Sequence, residues 1–189
     1  MKLLFVDCCI SQRGKESRTL ALAKAYIGAF RAAHPDWEVE RADPMDLPPL
    51  TAEFLDDRDT RKGEFSAPMF AAARQFQSAD SIVVAAPYWD LSYPAQLKTY
   101  IEHISVNGLC YHYTEQGCQG DCKAEKLVYL TSGGDFEGED SVGVLHWKQL
   151  CKMFGIETFT YVFAGGMDID PVKTPELLAQ ACEKARSLV

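Results

Sequence analysis

The stretch SIVVAAPYWDLSYPAQLK, residues 81–98, determines how the rest of the chain is interpreted. It opens with a short apolar run, residues 81–86, whose β-branched side chains predict a strand buried on both faces. Leu97, Ile101 and Ile104 then follow at the spacing of one apolar helix face. A buried strand that leads through a loop into a helix is typical of a parallel, helix-covered sheet.

The same alternation of strand and helix runs along the whole chain. Strands are predicted at residues 2–7, 37–41, 81–86, 127–130 and 158–163. Apolar positions at helical spacing predict helices at about 20–33, 69–76, 93–106, 144–154 and 178–188. The predicted fold class is therefore α/β, a three-layer sandwich whose five-stranded parallel sheet has the order 2-1-3-4-5 with helices on both faces. With 189 residues and no linker or repeat, we expect one domain over 1–189.

Three local features are less regular. Residues 109–113 predict the first half of a small hairpin arm that ends near Gly117 and Gly120. The charged segment 53–62 suits either a short helix or a mobile loop. In residues 90–94, Ser92 is placed to cap a helix and Pro94 to occupy its first turn.

The composition excludes several classes of function. A formal net charge of -8 argues against nucleic acid or an anionic membrane surface as partner. The apolar run at the start is too short for a signal peptide and no segment is long enough to span a bilayer, so we expect a cytoplasmic protein.

Seven cysteines without a repeated CxxC pair suit reduced thiols. We expect Cys8, Cys151 and Cys182 to be small buried hydrophobes. Cys118 and Cys122 are near only one histidine, His112, so we predict neither a metal site nor a redox-active disulfide. We expect His103, His112 and His146 to be structural or surface residues, since nothing in their spacing pairs them with a carboxylate.

Three loops of unusual composition follow the first, third and fourth predicted strands, at residues 8–18, 87–93 and 131–136. The carboxyl ends of parallel strands share one edge of a sheet, and ligands bind where the strand order reverses. We therefore expect these loops to converge on one binding site.

Each loop has a functional and a purely structural interpretation. Loop 8–18 opens a helix whose free amides suit a phosphate, and Ser17 suits an ordinary N-cap equally well. Tyr88 and Trp89 form a flat slot for a planar cofactor, or they pack as lid residues. Gly133 and Gly134 let backbone amides approach a ligand, or they make a tight turn. There is no Walker or GxGxxG pattern, so neither a P-loop nor a Rossmann dinucleotide site is supported.

Four ordered motifs resemble those of the flavodoxin-like NAD(P)H oxidoreductases, which include FMN-dependent azoreductases and quinone reductases. They are PYW at 87–89, PAQLK at 94–98, YTEQG at 113–117 and TSGG at 131–134. The resemblance covers nearly the whole chain. Azoreductases usually have Met-Tyr-Asn-Phe at 88–91 and Ser-Arg-Gly-Gly at 131–134, and this chain is nearer the quinone-reductase form at 131–134.

The resemblance implies FMN, less favourably FAD, as cofactor and NAD(P)H as hydride donor. The residues around Ser17 to Thr19 would bind the flavin phosphate, with Ser11 as a further candidate because Cys9 stands where azoreductases often have a serine. The 88–91 loop would line the ring, and residues 131–134 would contact its other side. The complete set of implied cofactor contacts is Ser11, Ser17, Arg18, Thr19, Pro87, Tyr88, Trp89, Asp90, Leu91, Thr131, Ser132, Gly133 and Gly134.

The implied function is hydride transfer through flavin N5 to a quinone, azo or nitroaromatic acceptor in a ping-pong reaction. Tyr88, Trp89 and Asp90 would shape the substrate face, with no side-chain nucleophile required. The family implies a homodimer, to which residues 109–122 and 47–64 would contribute. A flavodoxin-like electron carrier and a flavin-free binding module are the alternatives.

Overall fold

The computed structural model describes residues 1–9, 17–136, 138 and 140–189. Loop 8–18 lies partly outside the described residues, and Ser11 lies wholly outside them. The strands are β1 (Lys2–Asp7), β2 (Glu38–Ala42), β3 (Ser81–Ala85), β4 (Tyr111–Thr114), β5 (Gly117–Gly120), β6 (Lys126–Ser132) and β7 (Thr158–Ala164). The helices are α1 (Arg18–Ala33), α2 (Ala52–Thr60), α3 (Ala71–Ser78), α4 (Ala95–Ile104), α5 (Val142–Phe154) and α6 (Thr174–Arg186).

Five strands form one parallel sheet in the order β2-β1-β3-β6-β7. In the count of sheet strands this is 2-1-3-4-5, so the predicted fold class is confirmed. Strand β3 lies at the centre and all five of its residues are buried. Its apolar composition follows from that position, because helices cover both faces of the sheet.

The two faces of the sheet support separate cores. One core packs α1 and α6 against side chains such as Leu3, Val83 and Leu130. The other packs α3, α4 and α5 against side chains such as Leu4, Val84 and Tyr129. Because side chains alternate along a strand, neighbouring residues of β6 point into opposite cores.

The hairpin arm is confirmed as β4 and β5, an antiparallel pair apart from the main sheet. Segment 53–62 is mostly helix α2, which begins after the N-cap Thr51 and buries none of its residues. Helix α5 ends at Gly155, whose φ of 77° is the left-handed conformation that glycine adopts most easily.

The predicted start of the helix after β3 is wrong. Helix α4 begins at Ala95 after Pro94, and no side chain caps it. Ser92 instead closes a tight turn, since its backbone exchanges hydrogen bonds with Trp89 at 2.8 and 3.3 Å. Ser92 therefore lies two residues before the N-cap position, which Pro94 occupies.

The cysteines are all unpaired, as expected. Cys8 and Cys151 are buried, while Cys182 is half-buried beside the core under α1 and α6. No group of His, Cys, Asp or Glu among the described residues could hold a metal ion. Within the same residues, none of the helices is both long and apolar enough to cross a bilayer.

Two of the three histidines singled out above contact protein groups other than carboxylates, and the third corrects the expectation. His103 is buried and its Nε2 lies 2.8 Å from the carbonyl of Pro48, which ties α4 to the segment before α2. His112 does face a carboxylate, because the hairpin brings its Nδ1 to 2.8 Å from Asp121. His146 is hydrogen-bonded to Tyr93. Burial, with a smaller contribution from Lys98, lowers the pKa of His146.

Candidate functional site

A cleft of about 600 Å³ lies at the carboxyl edge of the sheet, next to the switch between β1 and β3. It is lined by Cys9, Ser17, Arg18, Thr19, Pro87, Tyr88, Trp89, Ser132, Gly133, Gly134 and Asp168. The three loops that the sequence singled out therefore meet in one place. The volume falls within the range of about 300–1,000 Å³ that is usual for small-molecule sites.

One end of the cleft is the start of α1. Ser17 is the N-cap, and its hydroxyl accepts a hydrogen bond from the Leu20 amide at 3.3 Å. The amides of Arg18 and Thr19 come earlier in the helix, so they have no acceptor within it. Ser17 is thus an ordinary cap that also faces the cleft. The positive end of the helix dipole makes this a place where an anion is stabilised.

An ion pair crosses the same end of the cleft. The Arg18 Nη1 lies 2.7 Å from Asp168 Oδ1, and the two side chains are 33% and 69% exposed. Sequence reasoning missed Asp168, which follows β7. The signal was available in principle, because the loop after the fifth strand reaches the same sheet edge as the other three.

The opposite wall is narrow and aromatic. The Tyr88 amide donates to the Ser132 carbonyl at 2.9 Å, and the Tyr88 ring meets Phe163 edge-on with centroids 5.2 Å apart. A Cβ at Gly133 would lie 2.9 Å from Phe163 and 3.2 Å from Tyr88. A side chain at 133 would therefore displace the rings of Phe163 and Tyr88 that close the wall.

The turn after Tyr88 has an unusual backbone. Asp90 and Leu91 have φ values of 52° and 63°, the left-handed pair found at the centre of tight hairpin turns. Leucine is poorly suited to that conformation, which costs a non-glycine residue about 1–2 kcal/mol. Neither residue lines the cleft. Trp89 does line it and is 44% exposed, while Leu91 is 67% exposed beside it.

Two residues of β6 that were predicted as cofactor contacts turn their side chains to opposite faces of the strand. Ser132 lines the cleft, and its hydroxyl is hydrogen-bonded to that of Thr19 at 2.6 Å. Thr131 is fully buried, because strand alternation turns its side chain toward the core under α5. The structure therefore does not bring the Thr131 side chain to the cleft.

Cys9 is a further lining residue, and its chemistry is inert. Its amide donates to Asp7 at 3.1 Å. Burial, reinforced by the neighbouring Asp7 carboxylate, raises the pKa of the Cys9 thiol well above its usual range. A thiol that stays protonated is a poor nucleophile, so Cys9 contributes shape rather than reactivity.

The site is thus a cleft with an anion-binding helix terminus at one end and a narrow aromatic and glycine wall at the other. The model of the family described as "Flavodoxin-like fold" matches residues 1–189. The chain belongs to this family.

Curated relatives of similar length match almost end to end. The FMN-dependent NADH:quinone oxidoreductase of Clostridium beijerinckii is 31% identical over 191 residues, which cover 98% of this chain and 96% of the relative. The FMN-dependent NADH:quinone oxidoreductase 5 of Pseudomonas fluorescens is 32% identical over 182 residues, with 88% and 87% covered.

Among solved structures, an azoreductase from Bacillus anthracis str. Sterne has a TM-score of 0.87 at 24% identity, with 100% of this chain and 98% of that chain covered. An FMN-dependent NADH-azoreductase from Bacillus anthracis str. Ames Ancestor, solved in complex with FMN, has a TM-score of 0.80 at 19% identity, with 99% and 98% covered. At these identities the likeness concerns the fold.

Proposed function

We propose that this protein is an FMN-dependent NADH oxidoreductase that reduces a quinone, azo or nitroaromatic acceptor. The observation that carries the proposal is the pairing, in one cleft, of an open helix terminus with a narrow aromatic wall. FMN has the matching parts, an anionic phosphate and a flat ring. The names of the relatives, which specify FMN, NADH and quinone, support the same conclusion.

The chain offers distinct contacts to the two ends of FMN. The amides of Arg18 and Thr19 and the guanidinium of Arg18 would hold the phosphate. Pro87, Tyr88 and Trp89 would line one side of the ring. Gly133 belongs to the same wall, since its Cβ position lies 3.2 Å from Tyr88, and the backbone of Gly133 and Gly134 would meet an edge of the ring.

Bound flavin supplies a ring that takes a hydride from NADH and passes the electrons on. The protein's contribution is to orient the two partners and to keep water away from the reacting ring. Backbone amides that face the ring would stabilise negative charge there. We infer a ping-pong order, in which donor and acceptor use the same side of the cleft in turn.

The proposal extends to the organisation of the protein. We infer one flavin-binding domain over 1–189, which the family match over the same residues supports. We infer a homodimer in which the hairpin arm 109–122 and segment 47–64 contribute to the interface, supported by the exposed Tyr113 on that arm. The unpaired state of all seven cysteines supports a cytoplasmic location.

Two measurements on the purified protein test the function. Mass spectrometry of the released cofactor should identify FMN, and NADH should be oxidised steadily when menadione is added. Bound flavin without turnover would instead indicate an electron carrier. A protein that takes up no flavin on reconstitution would contradict the cleft assignment altogether. Light scattering tests the dimer separately.

A further inference from the structure

The charges around the cleft are distributed unevenly. Arg18 is the one cation among the described residues that line it, and Asp168 already pairs with that guanidinium. Two further carboxylates border the cleft: Asp90 directly follows the lining residue Trp89, and Asp135 directly follows the lining residue Gly134, on the side of Asp168. We call Asp90 and Asp135 the acidic rim.

Both rim carboxylates are exposed, and neither is in an ion pair with a described residue. The Asp135 side chain accepts a hydrogen bond from the Phe136 amide at 2.7 Å, and its carbonyl accepts one from Gly166 at 2.9 Å. Asp90 is fixed by the tight turn between Trp89 and Ser92. The backbone at both positions of the acidic rim is therefore fixed by hydrogen bonds.

The turn that carries Asp90 also presents apolar surface. Trp89 and Leu91 both expose their side chains on either side of the carboxylate. Asparagine or glycine would adopt the backbone conformation of this turn without strain, so a leucine at its centre is unusual. Such backbone outliers concentrate at functional positions. A flat, uncharged ring can pack on this surface, and a cation gains additionally from the indole face and the carboxylate.

We propose that the electron acceptor is a neutral or cationic aromatic compound, and that the acidic rim discriminates against acceptors with negative charge on the ring system. This inference rests on the proposed function. Bound FMN adds a further anionic group to a cleft that has no unpaired described cation, so it strengthens the discrimination. NADH is not excluded by the same argument, because its negative charges lie on the pyrophosphate and not on the nicotinamide ring.

The test compares 1,2-naphthoquinone with 1,2-naphthoquinone-4-sulfonate, using the FMN-loaded protein and NADH. The two quinones differ in intrinsic reactivity, so the quantity that matters is the change in their ratio of kcat/KM. A unit charge about 8 Å away in water alters an interaction about two-fold. The double variant Asp90→Asn/Asp135→Asn should therefore raise the sulfonate-to-neutral ratio about four-fold at low salt.

A matched control has the same change in net charge at the opposite edge of the sheet. Asp36 and Glu157 are exposed and precede β2 and β7, so they lie at the amino ends of the strands. The Asp36→Asn/Glu157→Gln variant should leave the ratio unchanged. An equal rise in both double variants would point to net charge rather than to the acidic rim, and would overturn the proposal.

A salt series on the unaltered protein is an independent test. Raising the ionic strength from about 0.01 M to 0.15 M shortens the screening length from about 30 Å to 8 Å. It should raise kcat/KM for the sulfonate and not for the neutral quinone. Turnover of the neutral quinone with a salt-independent ratio refutes the acidic rim and leaves the proposed function intact. Absence of turnover with every acceptor refutes the proposed function itself.

Discussion

Replacing Asp168 by asparagine should tighten FMN binding. The Asp168 carboxylate lies 2.7 Å from the Arg18 guanidinium, at the end of the cleft where we place the phosphate. A phosphate that arrives there meets a cation whose charge is already compensated and a carboxylate of its own sign. Asparagine keeps the shape of the side chain and removes that charge.

The magnitude follows from Coulomb's law. A carboxylate about 5 Å from a dianionic phosphate is repelled by about 1.7 kcal/mol in water, and screening at physiological salt reduces this to about 1 kcal/mol. Since 1.4 kcal/mol corresponds to a factor of ten, the Kd of FMN should fall about five-fold. The ion pair is largely exposed on the Asp168 side, so its loss should change the free energy of unfolding by less than about 1 kcal/mol.

Fluorescence titration of the flavin-free protein measures this directly. Riboflavin is the matched ligand, because it has the ring and ribityl chain without the phosphate, and its Kd should not change. Asp170→Asn is the matched variant, since Asp170 lies in the same loop, pairs with Lys173 and does not line the cleft. Weaker FMN binding in Asp168→Asn would refute the reasoning and indicate that the carboxylate accepts hydrogen bonds from the ligand.

Three further predictions concern the wall, the turn and the edge of the sheet. Gly133→Val should abolish FMN uptake while far-UV circular dichroism stays unchanged, because a Cβ there would lie 2.9 Å from Phe163; retained uptake would contradict the wall assignment. Leu91→Asn should raise the free energy of unfolding by about 0.5–1 kcal/mol in urea denaturation, since asparagine tolerates a positive φ, while kcat/KM for the acceptor falls. A hydrogen bond from Lys2 holds the pKa of the Glu40 carboxyl below its usual range. The ionised carboxylate therefore stabilises the fold at pH values above its unfolded-state pKa, and this stabilisation is lost as the pH falls through its folded-state pKa. Glu40→Gln should therefore lose less stability than the unaltered protein between about pH 6 and pH 3, and parallel curves would disprove the link.

The sheet could be predicted from sequence because its strands are buried on both faces. A run such as Ile82 to Val84 has few alternatives once helices flank it. The topology follows from the alternation of strand and helix and from the handedness of the connections. The convergence of three loops was likewise predictable, since the carboxyl ends of parallel strands share an edge.

The errors arise where contacts are made between elements distant in sequence. His112 meets Asp121 because of the hairpin register, which spacing alone does not specify. Asp168 reaches Arg18 across 150 positions of the chain. Ser92 is a good cap residue by type, but the turn that it closes with Trp89 comes before the helix, whose N-cap is Pro94.

Thr131 is a different case, because the information that fixes the direction of its side chain was local. A strand predicted to end at residue 130 leaves the direction of the next side chains open, whereas β6 continues through Ser132. With a period of two, Ser132 then faces the cleft and Thr131 the core. Extending the strand by two residues would have separated the two hydroxyls correctly.

The cleft walls are tied together by protein contacts at several points. The Thr19 and Ser132 hydroxyls join the start of α1 to the end of β6. The loop after β7 donates backbone hydrogen bonds to Gly133 and Gly134 at 3.2 and 3.1 Å, and its Asp168 side chain reaches back to α1. A site whose walls are already positioned loses little conformational entropy when a ligand enters. Affinity for the cofactor is then determined by the charges within the cleft, and this is why we expect a single carboxylate at 168 to alter FMN binding measurably while the fold is unaffected.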